Sequence, residues 1–155
     1  MEKKEHRPVI SWILIILLFF LGIGGMISGA MLFASPDGRL MGFTTGLLQG
    51  SPFSDFLIPG IILFLFVGVF QFFTAIGLLT RTDWTGPDII NPFKKLHWAW
   101  TASGAAGIIM LIWIVVETLL LGYISALQPI IAVWGIVLIV LTLLPPVRKY
   151  YRKKI

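Results

Sequence analysis

Apolar residues run almost unbroken through four stretches of this chain, and polar residues are confined to the gaps between them. The first stretch, 9–34, carries no charge over about 26 residues, roughly 39 Å of helix at 1.5 Å per residue. A length of that order crosses a hydrocarbon core of about 30 Å with some tilt. The other three cover about 58–79, 97–121 and 126–144. Start signals accompany them: Ser51-Pro52 before the second, Asn91-Pro92 before the third, and Ser125 three residues ahead of Gln128 before the fourth. A second helix begun at Ser51-Pro52 would contain Pro59 and be kinked there. Pro145-Pro146 ends the last stretch. The pattern predicts an all-α membrane fold: four transmembrane helices in an antiparallel up-down bundle, forming one integral membrane domain over 1–155.

The gap at 35–60 differs from the others. Leu40, Met41, Phe43, Leu47 and Leu48 are too apolar for a solvated linker, while Gly38, Gly42, Gly46 and Gly50 discourage one long helix. An ordered outer loop between the first and second helices is expected. Ser28-Gly29-Ala30 resembles a signal-peptide cleavage site, but apolar residues continue past it to Ala34, so the first span is expected to be retained.

Composition supports lipid as the solvent. Of 155 residues 57% are hydrophobic and 12% charged, against about 25% charged in a soluble domain. The net charge of +5 could suggest nucleic acid, but the cations flank apolar runs and do not interleave with aromatics on a polar face. No nucleic-acid partner is expected. The absence of cysteine excludes disulfides and thiolate metal sites. With four spans, both termini and the middle loop share one side, and that side holds every Lys and Arg except Arg39. By the bias of cations toward the cytoplasm, both termini are cytoplasmic in a multi-pass protein of the inner (plasma) membrane. Trp84, Trp98, Tyr150 and Tyr151 then fall at the inner interface.

Charged residues inside or near a span are the candidates for chemistry. Glu117 lies within the third run, where a carboxylate is costly and usually faces protein or water. Three readings stand: an ion pair with Arg39, the one outer cation, latching the loop to the bundle; a proton- or cation-handling group; or a carboxylate that snorkels to water. Asp55 suits the N-terminal end of the second helix, and Asp37, Asp55 and Glu117 together could form an oxygen-rich outer site, although their scatter along the chain points to no metal. Gln71 shares a face with Gly68, Thr74 and Ala75 and is expected to bond to a neighbouring helix. Gly25 and Gly29 form a small-x-x-x-small pair, and Ser103 and Ala106 share the face of Glu117. Such faces suit a helix of the same chain or a second copy. The cationic C-terminal tail suits topology anchoring or anionic lipid. Neither His6 nor His97 is placed to ligate haem, and no cofactor is expected.

The stretches SPDGRLMGF, SPFSDFLIPGIIL and VETLLLGYISALQPI resemble a recurrent pattern in uncharacterised small four-span bacterial membrane proteins, and the layout is similar to that of DoxX-like proteins. The resemblance implies a bacterial inner-membrane location and no activity. Taken together, the chain reads as a non-catalytic interaction or assembly component. A small oligomeric transporter or channel using Glu117 is the alternative, and an outer-leaflet enzyme using Asp37, Asp55 and Glu117 the second.

Overall fold

The structure, a computed structural model, describes residues 6–154. Lys3 and Lys4, among the cations that set the expected orientation, lie outside them. Three helices are long and apolar enough to cross a membrane: α1 (Val9–Ala34), a second helix over Leu57–Thr80, and α5 (Trp98–Leu121). The second helix is built from α2 (Leu57–Ile62), a π-helical stretch (Leu63–Val69) and α3 (Phe70–Thr80). A short α4 (Thr85–Ile90) precedes α5, and the chain closes with α6 (Leu127–Leu143) and α7 (Pro145–Tyr150).

α1 packs along the second helix, the second helix along α5, α5 along α6, and α6 returns to α1. Lipid tails supply no hydrophobic drive between helices, so close approach has to do more of the work. Gly22, Gly25 and Gly29 put the α1 backbone against Phe72, Gly68 and Phe64. A methyl group on Gly25 would stand 2.7 Å from the Gly68 nitrogen. The π-helical stretch coincides with this contact, since Phe64 and Gly68 both belong to it. Between α5 and α6, Gly107 and Gly135 meet in the same way. Ser103 Oγ lies 3.0 Å from Thr142 Oγ1 there, and Trp100 Nε1 donates to the Thr142 carbonyl at 2.8 Å.

The outward surface is apolar. Ile16, Phe20 and Ile27 of α1, Ile112 and Leu119 of α5, and Ile130, Val133 and Val140 of α6 are all exposed. So large an exposed apolar surface is what lipid covers and water does not.

Two helix starts differ from the sequence reading, and the third agrees with it to one residue. The second helix begins at Leu57, not at Pro52. Pro59 therefore falls in its first turn, where the missing N–H has no intrahelical acceptor to lose and no kink is required. Asn91-Pro92 opens a loop instead of a helix, and α5 starts at Trp98 with His97 as its N-cap. α6 starts at Leu127. Its entry carries capping contacts from the expected pair: Ser125 Oγ accepts from the Leu127 N–H at 3.1 Å, and Gln128 Oε1 accepts from the Ile124 N–H at 2.9 Å and the Ser125 N–H at 3.5 Å.

Segment 35–56 folds into two 3-10 turns, Arg39–Met41 and Thr45–Leu48. The first is bracketed by Gly38 and Gly42 at φ of 83° and 72°, a region that side chains disfavour. Leu48 and Phe56 bury themselves with Leu32 of α1 in a small core of their own, with Leu121 packed against it.

Candidate functional site

The acids named from the sequence are placed separately by the fold. Glu117 is half-buried on α5, and its Oε2 accepts from Trp113 Nε1 at 2.9 Å. Trp113 stands four residues earlier, one turn along the same face. Asp55 lies just ahead of α2 and not within it, where its Oδ1 caps the Leu57 N–H at 2.9 Å. Asp37 Oδ1 accepts from the Arg39 N–H at 3.1 Å and from the Ser35 hydroxyl. The Ser35 bond, more than any other influence, holds the Asp37 carboxyl below its usual range. Among the described residues no three His, Cys, Asp or Glu side chains gather as a metal site would require.

The expected Glu117–Arg39 ion pair does not form. Arg39 is exposed, and its Nε lies 2.9 Å from Asp37 Oδ2. The reason is local: Asp37 is two residues away in a turn that already fixes both backbones. Reaching Glu117 would instead immobilise a long exposed side chain for little return in high dielectric. Glu117→Gln and Arg39→Gln should accordingly act independently. Their combined effect on stability in detergent should equal the sum of the single effects within about 0.5 kcal/mol. A larger coupling in a double-mutant cycle would restore the pair.

Gln71 is wholly buried, and its Nε2 donates to the Ala106 carbonyl of α5 at 3.2 Å. Gly25 and Gly29 serve contact within the chain, against the second helix. Ser103 and Ala106 are buried, Ser103 facing Thr142 of α6 and Ala106 accepting from Gln71.

The densest polar network lies at the end that gathers Arg7, the close of α3 and the C-terminal segment. Tyr151 is wholly buried there, with its hydroxyl donating to the Leu78 carbonyl at 2.9 Å. It is thus an anchor inside the protein and not an interfacial ring. Burial pushes its phenol up to about 12. Arg7 donates to the Leu79 carbonyl at 2.6 Å and lies over the Trp12 ring, while Arg81 stacks over Tyr150. Trp98 Nε1 and His97 Nε2 converge on the Thr82 carbonyl at 2.9 and 3.2 Å. His97 Nδ1 accepts the Ala99 N–H at 3.2 Å, so a neutral imidazole protonated at Nε2 satisfies both contacts. Buried Asn91 ties the preceding loop together: Nδ2 donates to the Leu96 carbonyl at 2.9 Å, and Oδ1 accepts from Thr101 Oγ1 at 2.7 Å.

Sequence reasoning misses Asn91 as a loop organiser and Tyr151 as a core residue. Asn-Pro at the end of α4 is the available signal for the first. For Tyr151 the aromatic pair Tyr150-Tyr151 gives no indication of which ring points inward. No family profile, curated protein or solved structure matches this chain.

Proposed function

We propose that this chain is a four-span, non-catalytic membrane protein that acts as an interaction or assembly component. In this reading α6 is the fourth span. Its 17 residues make roughly 26 Å of helix, a few ångströms short of a typical core, which local thinning accommodates. The observation that carries the non-catalytic reading is the separate use of the three acids. Asp37 closes a turn, Asp55 caps α2, and Glu117 accepts from its own helix's Trp113. Each holds local structure, and this separate use favours a non-catalytic role over an outer-leaflet enzyme. The concentration of cations beside both termini favours a cytoplasmic location for that end, in keeping with the bacterial inner membrane that the sequence resemblance implies.

A transport reading retains one observation in its favour: Glu117 sits in an apolar helix without a cationic partner among the described residues. Two measurements decide. The protein should resist alkaline carbonate extraction, with reporters at both ends and within residues 80–95 on the cytoplasmic side and one at Thr44 outside. Proteoliposomes should then show no proton or cation flux that Glu117→Gln abolishes. A Glu117-dependent flux would replace assembly with transport, and a cytoplasmic Thr44 would overturn the four-span topology.

A further inference from the structure

We propose that the groove between residues 92–96 and 148–152 is a binding site for the phosphate of an anionic phospholipid headgroup. The proposal rests on the membrane-spanning reading above. Two adjoining clefts, of about 360 and 390 Å³, share Arg148 and Arg152 in their walls. Lys94 and Lys95 also line the first and Lys149 the second, and neither contains an acidic residue.

The groove is built, not a loose tail. Val147 and Tyr151 are wholly buried and fix α7 and the turn after it, leaving Arg148, Lys149 and Arg152 exposed. The opposite wall is clipped to this one by backbone hydrogen bonds. The His97 N–H donates to the Tyr151 carbonyl at 2.8 Å and the Lys153 N–H to the Lys95 carbonyl at 2.9 Å, with Leu96 and Arg152 paired between them. Leu96, almost fully buried, belongs to the lining of the first cleft.

Charge use separates these cations from their neighbours. Lys153 is 2.6 Å from Asp88 Oδ1, and Lys94 donates to the carbonyls of Asp88 and Ile89 at 2.6 and 3.0 Å. Arg148, Arg152, Lys95 and Lys149 make no side-chain hydrogen bond or ion pair with any described residue. Two guanidinium groups lining one groove match the oxyanion geometry of phosphate, which arginine binds in bidentate fashion. Exposed Phe93 and Pro92 border the first cleft, and Ile89 and Ile90 of α4 are exposed close by along the chain. A soluble phosphate needs no such apolar margin. A lipid does, because its glycerol and acyl chains must leave the groove toward hydrocarbon, and basic pockets at the cytoplasmic end of spans suit headgroups of this kind.

The test uses the full chain in mild detergent, with native mass spectrometry reading retained phosphatidylglycerol and phosphatidylcholine of matched acyl chains. Phosphatidylglycerol should be retained preferentially. The pair Arg148→Gln and Arg152→Gln should weaken that retention roughly 30-fold, taking each cation at its usual contribution near a lipid surface. A charge-matched control, Arg39→Gln with Lys154→Gln, should leave it unchanged. Equal loss in the control would make the effect general electrostatics and overturn the groove. Inorganic phosphate raising thermal stability as well as phosphatidylglycerol does would assign the groove to a soluble anion and overturn the lipid. Carbonate extraction of the same membranes reports insertion independently, so a failed headgroup preference in an integral protein counts against this site alone.

Discussion

Gly25→Ala should destabilise the protein by about 2–3 kcal/mol, while Gly24→Ala, one residue away, should be neutral or stabilising by up to about 1 kcal/mol. Both changes add the same methyl group to the same helix, so propensity alone would favour both. Position decides the sign. At Gly24 a Cβ meets nothing within 4 Å. At Gly25 it stands 2.7 Å from the backbone nitrogen of Gly68 and from the carbonyl carbon of Val67. Backbone cannot rotate aside as a long side chain can, so the two helices must separate along the whole contact. Gly29→Ala should behave like Gly25→Ala, because its Cβ would lie 2.6 Å from the Phe64 nitrogen. Thermal unfolding in a single detergent gives the comparison. Equal stability of the Gly24 and Gly25 variants would mean that α1 and the second helix do not meet through this face.

The long apolar helices are legible in the sequence because their signal is cumulative. A soluble fold has little use for 26 consecutive residues without a charge, and the end of α1 at Ala34 coincides with the polar residues that follow. Helix starts are harder to place. Ser51-Pro52 and Asn91-Pro92 carry the right local chemistry, but both are overruled by what surrounds them. Phe56 is buried with Leu48 and Leu32, which draws the approach to α2 into a separate small core. Asn91 has its side chain engaged by Leu96 and Thr101, so it organises a loop where a surface cap would have opened a helix.

Candidate chemistry is less legible, for a reason that is also physical. Opposite charges at one end of a molecule need not find each other, as Glu117 and Arg39 show. Sequence separation matters more when the groups are exposed, since a partner two residues away is already ordered by its turn. The neighbour that Glu117 does use, Trp113, is visible on its own helical face. An indole N–H serves a half-buried carboxylate that no cation among the described residues pairs with. The groove at Arg148 and Arg152 is half legible: the cationic tail marks one wall, but nothing along the chain marks the other. Its second wall comes from residues some fifty positions earlier, brought alongside by the backbone clip around Leu96 and Arg152.

That clip depends on Tyr151, and truncating this side chain should have the largest effect of any change at the basic end. Tyr151→Ala removes a wholly buried ring and should cost about 3–5 kcal/mol, the usual range for large aromatic truncations in a core. Tyr151→Phe keeps the ring but loses the hydrogen bond to the Leu78 carbonyl, at a cost of about 1 kcal/mol. The pair of variants therefore separates packing from hydrogen bonding. Alkaline pH probes the same contact in a second way. The buried phenol titrates near 12, above the ordinary tyrosine value of about 10 expected in the unfolded chain. Below pH 10 both states hold the proton and the phenol has no pH-dependent effect. Between about 10 and 12 the unfolded chain loses its proton first, so stability falls as pH rises. Tyr151→Phe should remove that part of the decline and leave the lysine contribution in place. Identical alkaline profiles for the two proteins would show that the Tyr151 hydroxyl reaches water, and that the terminal segment is not seated against α3.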